Sequence, residues 1–136
     1  MKSYSLKILE SHLDTFKHVN NATYLSLFEE ARWDWITSEG LGLEEVQRSQ
    51  IGPVLLEIHL VFKKEVLLRE QVVIETRFLE MKNSLVMLLE QKLVKADGTM
   101  AARLEASIGI MDMAKRKLIV PPEPWMKAMK AVTSTN

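Results

Sequence analysis

Polar side chains that can do chemistry are concentrated between residues 12 and 21. This segment reads HLDTFKHVNN, with two histidines, one carboxylate and two side-chain amides, and it directly precedes a stretch with helical spacing. A carboxylate or an imidazole can act as a general base toward water. The free N–H groups and the dipole at a helix N-terminus stabilise developing negative charge. The segment therefore predicts hydrolysis through an oxyanion, without a covalent nucleophile.

The same residues also fit purely structural roles, because polar loops commonly precede helices. Asp14 could close an Asx turn, and Asn20 or Asn21 could cap the helix. His18 could be a buried imidazole whose hydrogen bonds are satisfied. The residue types alone leave both interpretations open.

A helix over residues 22–38 is expected to position this segment. Asn20 or Asn21 can cap its first turn, and Gly40 and Gly42 are typical of the region just past a helix end. The apolar residues of this helix cover a broad arc, which predicts that other structure surrounds most of it. They are Tyr24, Leu25, Leu27, Phe28, Ala31, Trp35 and Ile36.

Glu29 and Arg32 form a separate pair on the same helix. Arg32 lies inside the apolar arc and Glu29 at its border, and their i,i+3 spacing allows contact. Because an unpaired guanidinium would be costly there, we expect an ion pair that supports the loop. A catalytic Glu29 is the alternative.

Beyond a second helical turn at residues 43–49, Gly52-Pro53 predicts a break, and from Val54 apolar and polar residues alternate as in a strand. Asp97-Gly98 indicates a tight hairpin turn. Four long strands are predicted from Val54 onward, with an additional strand near the N-terminus and a short terminal helix after Pro121-Pro122. The later strands cover residues 71–81, 84–96 and 99–111, and the N-terminal one residues 3–10.

This order predicts an α+β fold in which a long, curled antiparallel sheet wraps around one central helix. The whole chain, residues 1–136, is expected to be one domain. Apolar positions remain on the outer face of the sheet, so we expect a homo-oligomer unless the terminal helix covers them. These positions are Val61, Val73, Leu79, Val86, Leu88 and Val94.

Composition excludes several classes of function. The chain has 18 basic and 18 acidic residues, which argues against a nucleic-acid partner, because phosphate binding needs a basic excess. It has no cysteine, which excludes disulfides, thiolate metal sites and a cysteine nucleophile. No metal site is expected from the spacing of the three histidines. No apolar run is long enough to span a membrane, and a polar N-terminus favours a cytoplasmic location.

The spacing Asp14-x3-His18-Val19-Asn20-Asn21, continued by Glu29-x-Ala31-Arg32, resembles the hotdog-fold thioesterases of the 4-hydroxybenzoyl-CoA thioesterase type. Its first part is also similar to plant acyl-ACP thioesterases. The resemblance implies hydrolysis of a CoA or acyl carrier protein (ACP) thioester, with CoA as part of the substrate and no further cofactor. It also implies a homodimer or homotetramer whose active sites lie at the subunit interface.

The resemblance assigns roles to individual residues. The catalytic aspartate of the hydroxybenzoyl-CoA type usually lies at the position of His12, and a second aspartate of that type is retained as Asp14. In the plant enzymes, an aspartate and a histidine at the spacing of Asp14 and His18 are among the proposed catalytic groups. Two positions depart from these patterns, where Phe16 replaces an asparagine and Lys17 a glycine.

We therefore expect an acyl-CoA thioesterase in which Asp14 activates water or orients His18, with His12 as the alternative base. Backbone N–H groups of residues 19–21, Val19, Asn20 and Asn21, would polarise the thioester carbonyl. An acyl-ACP thioesterase and a noncatalytic acyl-binding module are the alternative functions.

Overall fold

The computed structural model describes residues 1–133. Six strands and three helices make up this part of the chain, and a short 3₁₀ turn lies at Glu10–His12. In chain order the elements are β1 (Lys2–Lys7), α1 (Asn21–Ser38), α2 (Leu43–Ser49), β2 (Ile51–Phe62), β3 (Gln71–Met81), β4 (Val86–Lys95), β5 (Met100–Asp112), β6 (Lys117–Ile119) and α3 (Glu123–Ala131).

The strands form one antiparallel sheet in the order β1-β3-β4-β5-β2, and β6 pairs with the end of β5. β1 and β2 are therefore the outer strands of this order. The helix α1 packs on one face of the sheet, where it buries Leu27, Phe28 and Ala31 against strand residues. This confirms the predicted α+β arrangement of a long antiparallel sheet and a central helix.

Burial along α1 follows the predicted arc with one exception. Tyr24, Trp35 and Ile36 are buried with the three residues above, but Leu25 is 39% exposed. At the C-terminal end of α1, the Trp35 indole N–H donates to the Ala128 carbonyl at 3.2 Å. α3 therefore packs beside α1.

The predicted break at Gly52-Pro53 is wrong, because β2 begins at Ile51 and continues through both residues. Proline is tolerated there since β2 is an edge strand. Glycine fits position 52 because a Cβ would lie 2.6 Å from a Val46 methyl group. Of the other strand boundaries, the two that differ most from the prediction are the end of β1, at Lys7 instead of residue 10, and the start of β4, at Val86 instead of residue 84.

The outer face of the sheet is a mixture of half-buried apolar side chains and a charge cluster. All six outward apolar positions predicted from the sequence are half-buried. Between them, the Glu90 carboxylate receives hydrogen bonds from Arg77 and Arg103, both at 2.8 Å. Burial alone would raise the pKa of the Glu90 carboxyl, but the Arg103 hydrogen bond and the charges of Lys92, Arg103 and Arg77 hold it below its usual range.

Candidate functional site

A tight turn carries His18 in front of α1. The Asp14 carboxylate accepts from the Phe16 N–H at 2.8 Å and more weakly from the His18 N–H at 3.4 Å. The Asp14 and His18 main chains are also bonded at 2.9 Å, and Lys17 adopts a positive φ of 66°. Asp14 therefore closes an Asx turn, and no hydrogen bond in residues 1–133 joins its carboxylate to the His18 ring.

The His18 ring is held by Glu65, a residue that the sequence did not single out. The His18 Nε2 atom lies 2.8 Å from a Glu65 carboxylate oxygen, and both side chains are about half exposed. When the neutral ring donates Nε2–H to a carboxylate, the proton is absent from Nδ1. Within the described chain no donor occupies Nδ1. His18 can therefore accept a proton at Nδ1.

The loop between β2 and β3 fixes the position of Glu65. Val66 is fully buried, and its carbonyl accepts from the Val19 N–H at 3.2 Å. On the other side, the Lys95 ammonium donates to the Glu65 carbonyl at 3.0 Å. These contacts place the Glu65 backbone beside the His18 turn, although the two residues are far apart in sequence.

His12 is the predicted alternative to Asp14 as the base, and its ring is held by a hydrogen bond from the main chain. Its Nδ1 atom accepts from the Leu9 N–H at 2.9 Å, so in the neutral ring the proton lies on Nε2. This arrangement engages the one lone pair that could accept a proton. The His12 carbonyl also accepts from the Asn20 N–H at 3.1 Å, which joins the 3₁₀ turn to the start of α1.

Two of the three predicted oxyanion donors are already engaged, because the Val19 N–H donates to the Val66 carbonyl and the Asn20 N–H to the His12 carbonyl. Asn20 instead caps α1, and its side-chain oxygen accepts from the Ala22 N–H at 2.8 Å. No acceptor for the Asn21 N–H lies in the described part of the chain. Asn21 thus keeps a free donor in the first turn of α1, where the helix dipole favours negative charge.

A cavity of about 280 Å³ joins these groups. His18, Glu65 and Asn21 line it on one side, and Tyr24 and Phe62 form an aromatic wall in which the two rings meet edge to face at 5.1 Å. Burial raises the pKa of the Tyr24 hydroxyl, and the negative charges of Glu70 and Glu65 raise it further. The remaining lining residues are Val19, Lys63 and Lys64. The cavity thus presents a proton acceptor, a backbone donor and positive charge to one small volume.

The expected Glu29–Arg32 ion pair is replaced by a different contact. Arg32 donates to the Gln91 side-chain oxygen at 2.9 Å, and no ion pair joins it to Glu29 among residues 1–133. Gln91 is fully buried, and its amide nitrogen donates to the Phe28 carbonyl and to the Thr76 hydroxyl, both at 3.0 Å. Burial lowers the pKa of the Arg32 guanidinium, and the nearby Glu29 charge acts in the opposite direction.

Sequence reasoning missed Glu65 and Gln91 for different reasons. Glu65 lies in the run KKEVLLRE, in which charged residues flank three apolar ones, and nothing in this run distinguishes Glu65 from the charged residues of an ordinary solvated loop. Gln91 left a clearer signal, because it is an uncharged polar residue within the apolar run VMLLEQKLV. A polar residue at a core position of a strand must find a buried partner.

No three histidine, aspartate or glutamate side chains within residues 1–133 gather as metal ligands would. In the same part of the chain, α1 is the longest helix, and none is long and apolar enough to cross a membrane.

Comparison with known proteins gives matches over most of the chain. Residues 9–129 match the family model described as Thioesterase-like superfamily. The chain is 24% identical over 114 residues to the long-chain acyl-CoA thioesterase FadM of Escherichia coli K12, a match that covers 84% of this chain and 86% of that protein.

Two solved structures share the fold. A Staphylococcus aureus protein, solved in complex with CoA, superposes with a TM-score of 0.89 at 20% identity and covers 98% of this chain and 86% of its own. A 1,4-dihydroxy-2-naphthoyl-CoA thioesterase from Synechocystis gives a TM-score of 0.85 at 17% identity, with 94% of each chain covered. The fold is therefore the hotdog fold, as the sequence motif predicted.

Proposed function

The chain belongs to the Thioesterase-like superfamily, and from this premise we propose that it hydrolyses an acyl-CoA thioester to a free acid and CoA, with His18 as the base. The family makes it a thioester hydrolase. The similarity to FadM, a long-chain acyl-CoA thioesterase, supports an acyl-CoA substrate. The observation that carries the mechanism is the 2.8 Å contact between His18 and Glu65, because it leaves His18 Nδ1 able to take a proton.

The reaction proceeds by attack of water on the thioester carbon. His18 Nδ1 takes a proton from the water as its oxygen bonds to the carbonyl carbon, and Glu65 stabilises the resulting imidazolium. The Asn21 N–H donates to the oxyanion that forms, assisted by the N-terminal dipole of α1. When the carbon–sulfur bond breaks, the proton on His18 passes to the departing CoA sulfur. Asp14 holds the turn that carries His18 and takes no part in proton transfer.

Lys63 and Lys64 are placed to favour CoA as the carrier of the acyl group. Both line the cavity that contains His18, and neither ammonium group forms an ion pair within residues 1–133. The phosphates of CoA carry negative charge, which these lysines would attract. The phosphopantetheine arm of ACP has a single phosphate, so an acyl-ACP substrate is the second candidate. Because CoA is a water-soluble carrier, we place the reaction in the cytoplasm.

The exposed edge of β2 supports a homodimer or homotetramer with active sites at the subunit interface. β2 pairs with β5 along one side only, and its other side offers unpaired backbone groups. Four of its large apolar side chains are also exposed. They are Leu55, Leu56, Ile58 and Phe62, and Phe62 lines the His18 cavity. A second subunit on this edge would therefore complete the wall of the cavity.

Thiol release from matched acyl-CoA and acyl-ACP substrates tests the function and the carrier together. We expect release of CoA, and a slower reaction with acyl-ACP. Binding of acyl-CoA without any turnover of either substrate would favour the noncatalytic acyl-binding module.

The assignment of the base is tested by three substitutions. Asp14→Asn keeps the side-chain oxygen that accepts the turn hydrogen bonds, so we expect it to retain most activity. His12→Gln is likewise expected to retain activity, whereas Glu65→Ala removes the partner of the His18 ring and should lower kcat. If Asp14→Asn or His12→Gln abolishes hydrolysis while the fold is intact, the base is misassigned.

A further inference from the structure

Apolar side chains of β2 are exposed on the concave side of the sheet, next to α1. Among the strands, α1 packs most extensively against β3 and β1. On β2, Leu55 lies opposite Ile108 and Ile58 opposite Ala106, and such cross-strand pairs share a face of the sheet. Ile108 and Ala106 are buried, yet Leu55 and Ile58 are 42% and 36% exposed. The concave face of β2 is therefore left partly exposed at Leu55 and Ile58.

A second cavity lies farther along α1 than the His18 cavity, between the same two elements. Tyr24 and Phe62 line the first cavity, and Arg32 and Leu55 line the second, so α1 and β2 flank both. The second cavity measures about 100 Å³ and is mainly apolar and aromatic. Besides Arg32 and Leu55, its walls include Glu29, Trp33, Trp125 and Met87.

Arg32 brings unused hydrogen-bond donors to the second cavity. Its guanidinium has five N–H groups, and the hydrogen bond to Gln91 engages one of them. Gln91 cannot turn away, because its own nitrogen is bonded to Phe28 and Thr76. In the described chain no carboxylate pairs with Arg32. No Arg32 nitrogen is both buried and without a partner, so its remaining donors are accessible to water or to a ligand oxygen in this cavity.

We infer that Arg32 binds a hydroxyl oxygen at the far end of the acyl group, so that the substrates are hydroxylated acyl chains. This rests on the proposed function, which places the thioester beside His18. A hydroxyl fits better than a carboxylate, because the Glu29 carboxylate lines the same cavity. A hydroxyl can accept from Arg32 and donate to Glu29, whereas a carboxylate would be repelled by Glu29.

The distance along α1 between Asn21 and the Arg32 guanidinium sets the expected length of the acyl chain. Gln91 contacts both the Phe28 carbonyl and Arg32, so the guanidinium lies near the level of Phe28. Phe28 is seven residues beyond Asn21, which corresponds to about 10 Å along the helix axis. An extended chain gains roughly 1.2 Å per bond. The hydroxyl is therefore expected about eight bonds from the thioester carbon.

The test compares ω-hydroxyoctanoyl-CoA with octanoyl-CoA as substrates of the full-length protein. We expect kcat/KM to be about tenfold higher or more for the hydroxylated substrate, as for a hydrogen bond to a charged group. Arg32→Met is expected to abolish this preference while octanoyl-CoA is still hydrolysed. Arg48→Met is the matched control, because Arg48 is exposed on α2 and pairs with Glu45. Glu29→Ala, on an exposed position of α1, is expected to weaken the preference.

Equal kcat/KM values for the two substrates, or a preference that survives Arg32→Met, would overturn the inference. If Arg32→Met does not fold, Glu29→Ala and Arg48→Met are compared instead. A preference for the hydroxylated substrate that is unchanged in both variants counts against the proposed hydroxyl site. Hydrolysis of octanoyl-CoA without a preference refutes the hydroxyl site and leaves the proposed function intact. No hydrolysis of either substrate refutes both.

Discussion

Replacing Gln91 with leucine should destabilise the protein in a way that a second substitution repairs. Gln91 is fully buried and makes three hydrogen bonds, to Arg32, Phe28 and Thr76. In Gln91→Leu the Phe28 carbonyl keeps its helical hydrogen bond, but Arg32 loses the one acceptor that it has among residues 1–133, and the Thr76 hydroxyl loses a donor. An unsatisfied buried group costs about 1–3 kcal/mol, and more if it is charged. We therefore expect a loss of about 2–4 kcal/mol in the free energy of unfolding.

The double variant Arg32→Met/Gln91→Leu separates this explanation from a simple packing defect. Removing both partners of a buried polar contact can be nearly neutral, so the double variant should recover about 1 kcal/mol or more relative to Gln91→Leu alone. Urea denaturation at one fixed protein concentration measures both, since oligomerisation would otherwise alter the apparent stability. A loss below about 0.5 kcal/mol for Gln91→Leu, or strictly additive effects in the double variant, would refute the reasoning.

Four further predictions concern the cap, the outer face and the edge strand. Asn20→Ala removes the cap of α1 and should lower the free energy of unfolding by about 1 kcal/mol in urea denaturation, whereas Asn20→Asp should not. Gly109→Ala should change the free energy of unfolding by no more than about 1 kcal/mol, because the atom nearest to its Cβ, a Leu118 methyl group at 2.7 Å, is the end of a flexible side chain that can move. Glu90 has a lowered pKa in the folded state, so its contribution is present above the unfolded-state pKa and is lost as the pH falls through the folded-state value. The stability difference between the wild type and Glu90→Gln should therefore shrink on acidification, and a difference that stays constant down to pH 3 would contradict this. Leu56→Lys should reduce the oligomer mass measured by light scattering, while Lys82→Ala on the outer face should not.

The fold could be predicted from the sequence because its elements are long and strongly patterned. The helical spacing of Leu27, Phe28 and Ala31 and the alternation in the later strands each specify one kind of element. The break predicted at Gly52-Pro53 was wrong because proline is excluded from central strands but tolerated in edge strands. That β2 is an edge strand depends on the strand order of the whole sheet, which the local sequence does not show. Residues 51–53, the first three of β2, could not be assigned without the strand order.

The candidate site was predicted only in part, because a sequence pattern indicates contacts between residues that are close together in the chain. Asp14 and Asn20 act within a few residues of their partners, so the turn and the cap were among the roles that the sequence left open. The partner of His18 is Glu65, and the partner of Arg32 is Gln91. Both pairs depend on how the loop and strands fold back on α1, which no local spacing encodes.

The central claim is that His18 acts as the general base of thioester hydrolysis. The most direct test is kcat/KM for octanoyl-CoA in the wild type and in His18→Gln, with His59→Gln as the matched control on the exposed side of β2. The account predicts hydrolysis by the wild type and by His59→Gln, and a loss of about 10²- to 10⁴-fold in His18→Gln. Wild-type activity in a folded His18→Gln variant would contradict it.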